Sequence, residues 1–281
     1  METIEIPAGS YTFTGQAAGP LDGRLVVLLH GFPQNSRQWR HQLPALAEAG
    51  YRAVAVDQRG YSTGARPEGV EAYRMHHLVS DVLAVVDELG GHRVDLVGHD
   101  WGAAVAWHVA GRYPERLRTL TAVSVPHPAA FLAALLGGSA DQALRSSYIA
   151  FLRQENAPER TLLAGDGRGL RALLTASGLP ESAAEEYVTL LREPGALTAA
   201  VNWYRAASLE DLREMGPVTT PTLYVWSDKD VALGRHAAEA TAGHVKGPYR
   251  FEVLEGVSHW IPEEAPDRLN ALLLEHLRSW D

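Results

Sequence analysis

Val97-Gly98-His99-Asp100-Trp101-Gly102 decides the reading of this chain. An apolar run, Val94–Val97, ends here, one reactive residue stands between glycines, and a helical pattern begins. This is the G-x-nucleophile-x-G elbow, with aspartate in the nucleophile position. The glycines have a steric reason, because the turn is tight and its neighbours must be small. The helix that follows aims its positive end at the carboxylate and favours its ionised form. The plain alternative is an ordinary strand–helix turn with Asp100 as N-cap.

Outward from this turn the chain alternates between two periods. Leu25–Leu29, Ala53–Val56, Val94–Val97, Leu120–Val125, Thr222–Trp226 and Phe251–Leu254 read as buried strands. Helical patterns separate most of them. The clearest spans His76 to Leu89, with Leu78, Val82, Val85, Val86 and Leu89 on one face and Gly90-Gly91 as its stop. Another follows Ser36 and ends at Gly50, and a third begins after Asp100. Strand–helix–strand alternation implies a parallel sheet with helices on both faces. Thr3–Ile6 and Tyr11–Thr14, around Ala8-Gly9, read as an antiparallel edge hairpin. From about Pro126 to Gly216 the alternation stops, and about 90 Ala- and Leu-rich residues carry helical periods only. That is too long for a loop and fits a helical lid, or more plainly an extra helical layer. The expected division is 1–126 and 217–281 as one core, with 127–216 as a helical cap.

Composition narrows the chemistry. The 281 residues carry a net charge of −9, which argues against a nucleic-acid partner and an anionic membrane surface. With no cysteine there is no thiol nucleophile, disulfide or Cys-bound zinc. No His-x-x-x-His pair occurs, and no metal or organic cofactor is expected. The apolar run around Ala129–Leu136 is far short of a membrane span, and the acidic start lacks the apolar core of a signal peptide. A cytoplasmic protein acting on a small uncharged molecule is expected, and a homodimer is open.

Three more pieces fall just past strand ends. His30-Gly31-Phe32-Pro33 follows one strand. Its glycine lets a backbone N–H point inward and its proline fixes the turn through a possible cis bond, while His30 itself reads as structural. Phe32 and Trp101 would then supply the two N–H groups of an oxyanion hole. Asp228-Lys229-Asp230 follows another strand, and Ser258-His259-Trp260 a third. In open parallel sheets, sites form at the carboxyl ends of strands. The order Asp100, acid, His259 is nucleophile, acid, base.

Together these motifs resemble the α/β-hydrolase fold, a mostly parallel eight-stranded sheet flanked by helices, with the cap inserted after the sixth strand. More narrowly the chain resembles the epoxide hydrolases, which share His-Gly-x-Pro and an aspartate nucleophile with haloalkane dehalogenases. Of Asp228 and Asp230, the resemblance favours Asp230 as the acid. Asn202-Trp203-Tyr204-Arg205 is similar to the cap segment whose tyrosine is a ring-opening acid in that branch. Ser147-Tyr148, followed by Glu159, is similar to the segment carrying the second, although the usual preceding aromatic is missing, and Tyr187 is a lower-ranked substitute. Asp57–Ser62 is similar to a loop seen across these families and reads as structural. Phe32, Trp101, Trp203 and Trp260 would line an aromatic, neutral pocket, each with core packing as the plainer role.

An aspartate nucleophile suits saturated carbon bearing a leaving group, since attack on an acyl carbon would form an anhydride. This disfavours an esterase. The resemblance implies hydrolysis of a hydrophobic epoxide to a diol through an ester on Asp100, with His259 and Asp230 activating water. The runner-up is a haloalkane dehalogenase with the same triad, which would use the Trp101 indole but lacks the usual Asn at the position of Phe32. A non-catalytic binding protein on the same fold has no need of all three triad residues.

Overall fold

A computed structural model describes every residue except Gly138, Ser139, Glu214 and Asp281. Eight strands form one sheet: β1 (Glu2–Ala8), β2 (Tyr11–Ala18), β3 (Leu25–Leu29), β4 (Arg52–Val56), β5 (Val94–His99), β6 (Leu117–Val123), β7 (Thr222–Ser227) and β8 (Tyr249–Leu254). Their order is β1-β2-β4-β3-β5-β6-β7-β8. β1 and β2 form the antiparallel hairpin at one edge, β2 meets β4 antiparallel, and every later pairing is parallel.

The apolar runs explain the layers. Successive side chains of a strand point to opposite faces. Val27 and Leu29 of β3 therefore join one core cluster, while Val26 and Leu28 join another. Helices α1 (Gln42–Glu48), α2 (Met75–Glu88) and α3 (Trp101–Arg112) cover the sheet. α2 buries Leu78, Val82, Val85 and Val86, the face its spacing predicts, and the chain leaves it through Gly90 at φ 73°. The helix expected after Ser36 is shorter, because Ser36–Trp39 forms a 3₁₀ turn before α1 starts.

Between β6 and β7 the chain is helical: α4 (Pro128–Leu136), α5 (Ala140–Arg145), α6 (Tyr148–Leu152), α7 (Ala157–Ala176, broken at Ala164–Gly167), α8 (Glu181–Leu191), α9 (Ala196–Ala206) and α10 (Leu209–Arg213). These helices have their own apolar interior of Leu152, Leu162, Leu170, Leu174, Tyr187, Val188 and Leu197, which also takes in Phe32 and Trp260 from the sheet side. α11 (Arg235–Ala240), α12 (Ile261–Glu264) and α13 (Pro266–Arg278) complete the chain. Leu269, Leu273 and Leu277 of α13 and Leu43 and Leu46 of α1 pack on one face of the sheet. Among the described residues no helix is long and apolar enough to cross a membrane.

Candidate active site

The turn between β5 and α3 holds Asp100 at φ 51° and ψ −122°, a conformation costly for a residue with a side chain. Its neighbours make it possible. A Cβ on Gly102 would run into the backbone of Leu29 and His30, and one on Gly31 would strike the Asp100 side chain. The glycines thus bring two strand ends into contact. Across that contact the Phe32 N–H donates to Asp100 Oδ1 at 2.7 Å, and the Trp101 N–H, next along the chain, also favours the ionised carboxylate. The Phe32–Pro33 peptide bond is cis. Burial works against the charge of Asp100, but the adjacent His259 and these N–H groups outweigh it and hold its pKa below the usual range.

His259 lies between β8 and α12. Its Nε2 stands 3.6 Å from Asp100 Oδ2, and its Nδ1 bonds Asp230 Oδ2 at 2.8 Å. Of the two aspartates, Asp230 is the one in contact with His259. Asp228 is turned away, accepting from the Gly256 N–H at 2.7 Å. Burial disfavours the imidazolium of His259, yet the two flanking carboxylates push its pKa up to about 10.

His99 and Ser124, to which the sequence assigns no role, hold His259 from behind, with Gln38 supporting His99. His99 Nε2 donates to the His259 carbonyl at 2.9 Å, with the tautomer fixed by Gln38 Nε2, which donates to His99 Nδ1 at 2.6 Å. Ser124 Oγ donates to the same carbonyl at 3.1 Å. Burial lowers the His99 pKa to about 3, so its ring stays neutral. The signal was at hand, since His99 ends a strand buried along its whole length. His30 ties the Asp57–Ser62 loop in place, its Nε2 accepting from the Gln58 N–H at 3.0 Å.

The β6–β7 helices bring two phenols over this edge. Tyr204 of α9 packs edge-on against Phe32 and Trp101, with ring centroids at 5.3 and 5.1 Å. Tyr148 of α6 meets Tyr204 edge-on, with ring centroids 6.1 Å apart. Burial is the main cause that raises both phenol pKa values, followed by the charge of Asp100 for Tyr148 and by Tyr148 and then Asp100 for Tyr204. Arg205 fixes α9 to α7 through a paired contact with Glu159, at 2.9 and 3.0 Å. Tyr187 points elsewhere, donating to Glu263 at 3.0 Å.

The four aromatic residues expected to line a pocket divide. Phe32 and Trp101 face Tyr204. Trp203 is buried in the main core, its indole N–H donating to the Arg59 carbonyl at 3.0 Å. Trp260 packs edge-on against His259 and spends its N–H on Ser177 Oγ at 3.1 Å. Both have the packing role that the sequence left open. Among the described residues no group of three or more His, Asp or Glu is placed to hold a metal ion.

The sequence matches the model of the alpha/beta hydrolase fold family over residues 24–266. The chain is an α/β-hydrolase. It is 39% identical over 268 residues to the AB hydrolase superfamily protein YfhM of Bacillus subtilis (strain 168), covering 94% of this chain and 93% of that protein. It is 32% identical to Epoxide hydrolase A of Mycobacterium tuberculosis (strain ATCC 25618 / H37Rv), covering 92% of each. The crystal structure of Epoxide Hydrolase A from Mycobacterium thermoresistibile superposes with a TM-score of 0.87 at 29% identity, covering 100% of this chain and 99% of that one. Similarity to these hydrolases extends through the β6–β7 helices as well as the sheet.

Proposed function

We propose that this α/β-hydrolase opens neutral, apolar epoxides to vicinal diols, with Asp100 as nucleophile and the β6–β7 helices as its cap. The observation that carries the reading is the pair of phenols, Tyr148 and Tyr204, brought across from the Asp100 carboxylate. Oδ2 of Asp100 attacks an epoxide carbon, forming an ester bond as the ring C–O bond breaks. The departing oxygen remains attached to the substrate and takes a proton from a phenol, which is neutral at pH 7 and able to donate.

Oδ1 stays throughout beneath the Phe32 and Trp101 N–H groups. His259 then takes a proton from water, whose oxygen adds to Cγ of Asp100. Negative charge develops on Oδ1, where one such donor is worth ~3 kcal/mol. Collapse releases the diol with Oδ2, protonated by His259, and leaves the water oxygen in Asp100. Charge supports the sequence of events. Between two carboxylates His259 holds its proton, but esterification neutralises Asp100 and removes one of them. The His259 pKa then falls from its resting value of about 10, and as the ester forms the ring gives up its proton, which replaces the one the phenol donated, and becomes a base.

The reading is tested by assaying aryl and alkyl epoxides and, separately, haloalkanes. Diol formation from the epoxides is expected. Halide release with no diol would replace this reading with a dehalogenase.

A further inference from the structure

The loop carrying Asp230 leaves β7 at Ser227 and regains regular structure only at Arg235. Such an excursion must satisfy its own backbone groups. Asp230 Oδ1 accepts from the N–H groups of Ala232 and Leu233, at 2.8 and 2.9 Å. Much of the rest is supplied by α5, from the β6–β7 helices. Gln142, fully buried, places its Oε1 2.8 Å from the Gly234 N–H, and its Nε2 donates to the Ala232 carbonyl and to Ser146 Oγ, both at 2.9 Å. Arg145 Nη1 donates to the Asp230 carbonyl, while its Nε is held by Asp141 at 2.9 Å. The approach is so close that a Cβ on Gly234 would stand 2.6 Å from the Asp141 carboxylate.

A glutamine side chain carries two N–H donors and an acceptor, and one of those donors with the acceptor presents the same pair as a peptide group. Gln142 therefore reads the loop much as a neighbouring strand would, and fixes where the Asp230 carboxylate meets His259. We propose that Gln142, helped by Arg145, is a positioning residue for Asp230, and that through it the β6–β7 helices control the hydrolysis of the ester. This rests on the epoxide-opening reading. Asp230 touches His259 at Nδ1, and His259 activates water in the second half of the reaction. Ring opening uses Asp100 and the phenols. Loosening the loop therefore falls on the second half, whereas Tyr148 and Tyr204, from the same set of helices, act on the first.

The full chain carrying Gln142→Leu is followed through a single turnover of an aryl epoxide by rapid quench and intact mass. The adduct on Asp100 is expected to form at the wild-type rate and to decay roughly 10-fold more slowly, because the loop loses both of its bonds to the Gln142 amide. Arg145→Gln changes a side chain that is 32% exposed, so the fold tolerates it, and it is expected to slow decay in the same direction by a smaller factor. Unchanged decay in Arg145→Gln, or formation and decay slowed equally in Gln142→Leu, would overturn the proposal. Wild-type protein yielding neither adduct nor diol would overturn the epoxide reading instead, so the two failures are told apart.

Discussion

The edge of the sheet and the helices above it are built by different means. At the sheet edge, backbone geometry does the placing. Asp100 sits at a strained φ of 51° because Gly31 and Gly102 let two strand ends crowd together, and the main chain of Phe32 reaches its carboxylate directly. Among the helices, side chains do the placing. Tyr204 is where it is because Arg205 grips Glu159 on α7, and because Phe32, Trp101 and Tyr148 surround its ring. Backbone devices recur as short motifs with fixed spacing. Side-chain placement draws on residues 46 apart in sequence, as in the Arg205–Glu159 pair, and leaves no local signature.

The largest effect that separates the two regions is on ring opening. Tyr204→Phe removes a hydroxyl and leaves the sheet edge intact. Single-turnover formation of the Asp100 ester is expected to slow by about 10²-fold, the lower end for a lost general acid, with the decay of that ester nearly unchanged. Tyr148→Phe is expected to act on the same step. If both variants form the ester at the wild-type rate, the helices contribute shape and no chemistry.

This contrast accounts for what could be read from the sequence. The strands, the edge hairpin, α2 and the four turns bearing His30, Asp100, Asp230 and His259 were legible, because glycine spacing and period-2 burial report backbone geometry. Choosing Asp230 over Asp228 needed the family resemblance, since two carboxylates two residues apart look alike until the loop is folded. Trp203 and Trp260 look like pocket residues in a linear reading. Their indole N–H groups are in fact committed to Arg59 and Ser177, partners 144 and 83 residues away. Gln142 was invisible for the same reason, because its partner loop lies 90 residues on.

A smaller effect is expected at the seam between the regions. The Glu263 carboxyl is buried beside Gln34 and Tyr187, and burial raises its pKa to about 7. Among the described residues its Oε2 has no hydrogen-bond partner, and it can carry the proton of the neutral acid. A carboxyl whose folded pKa is raised favours the fold at low pH. That contribution is lost as pH rises from the ordinary carboxylate range through about 7. Glu263→Gln keeps the neutral shape, and thermal unfolding at pH 8 should show it stabilised by about 1 kcal/mol relative to wild type. The advantage should vanish near pH 5, and an equal gain at both pH values would mean that ionisation is not its source.

The central claim is that Asp100 carries the substrate as an ester which His259 helps water to cleave. Intact-mass measurement of His259→Gln protein incubated with an aryl epoxide tests it most directly. The account predicts a stable mass increase equal to the whole epoxide, mapped by peptide digestion to Asp100 and absent in the double variant with Asp100→Ala. Diol produced by His259→Gln at the wild-type rate with no adduct at any time, or an adduct mapped to another residue, would contradict it.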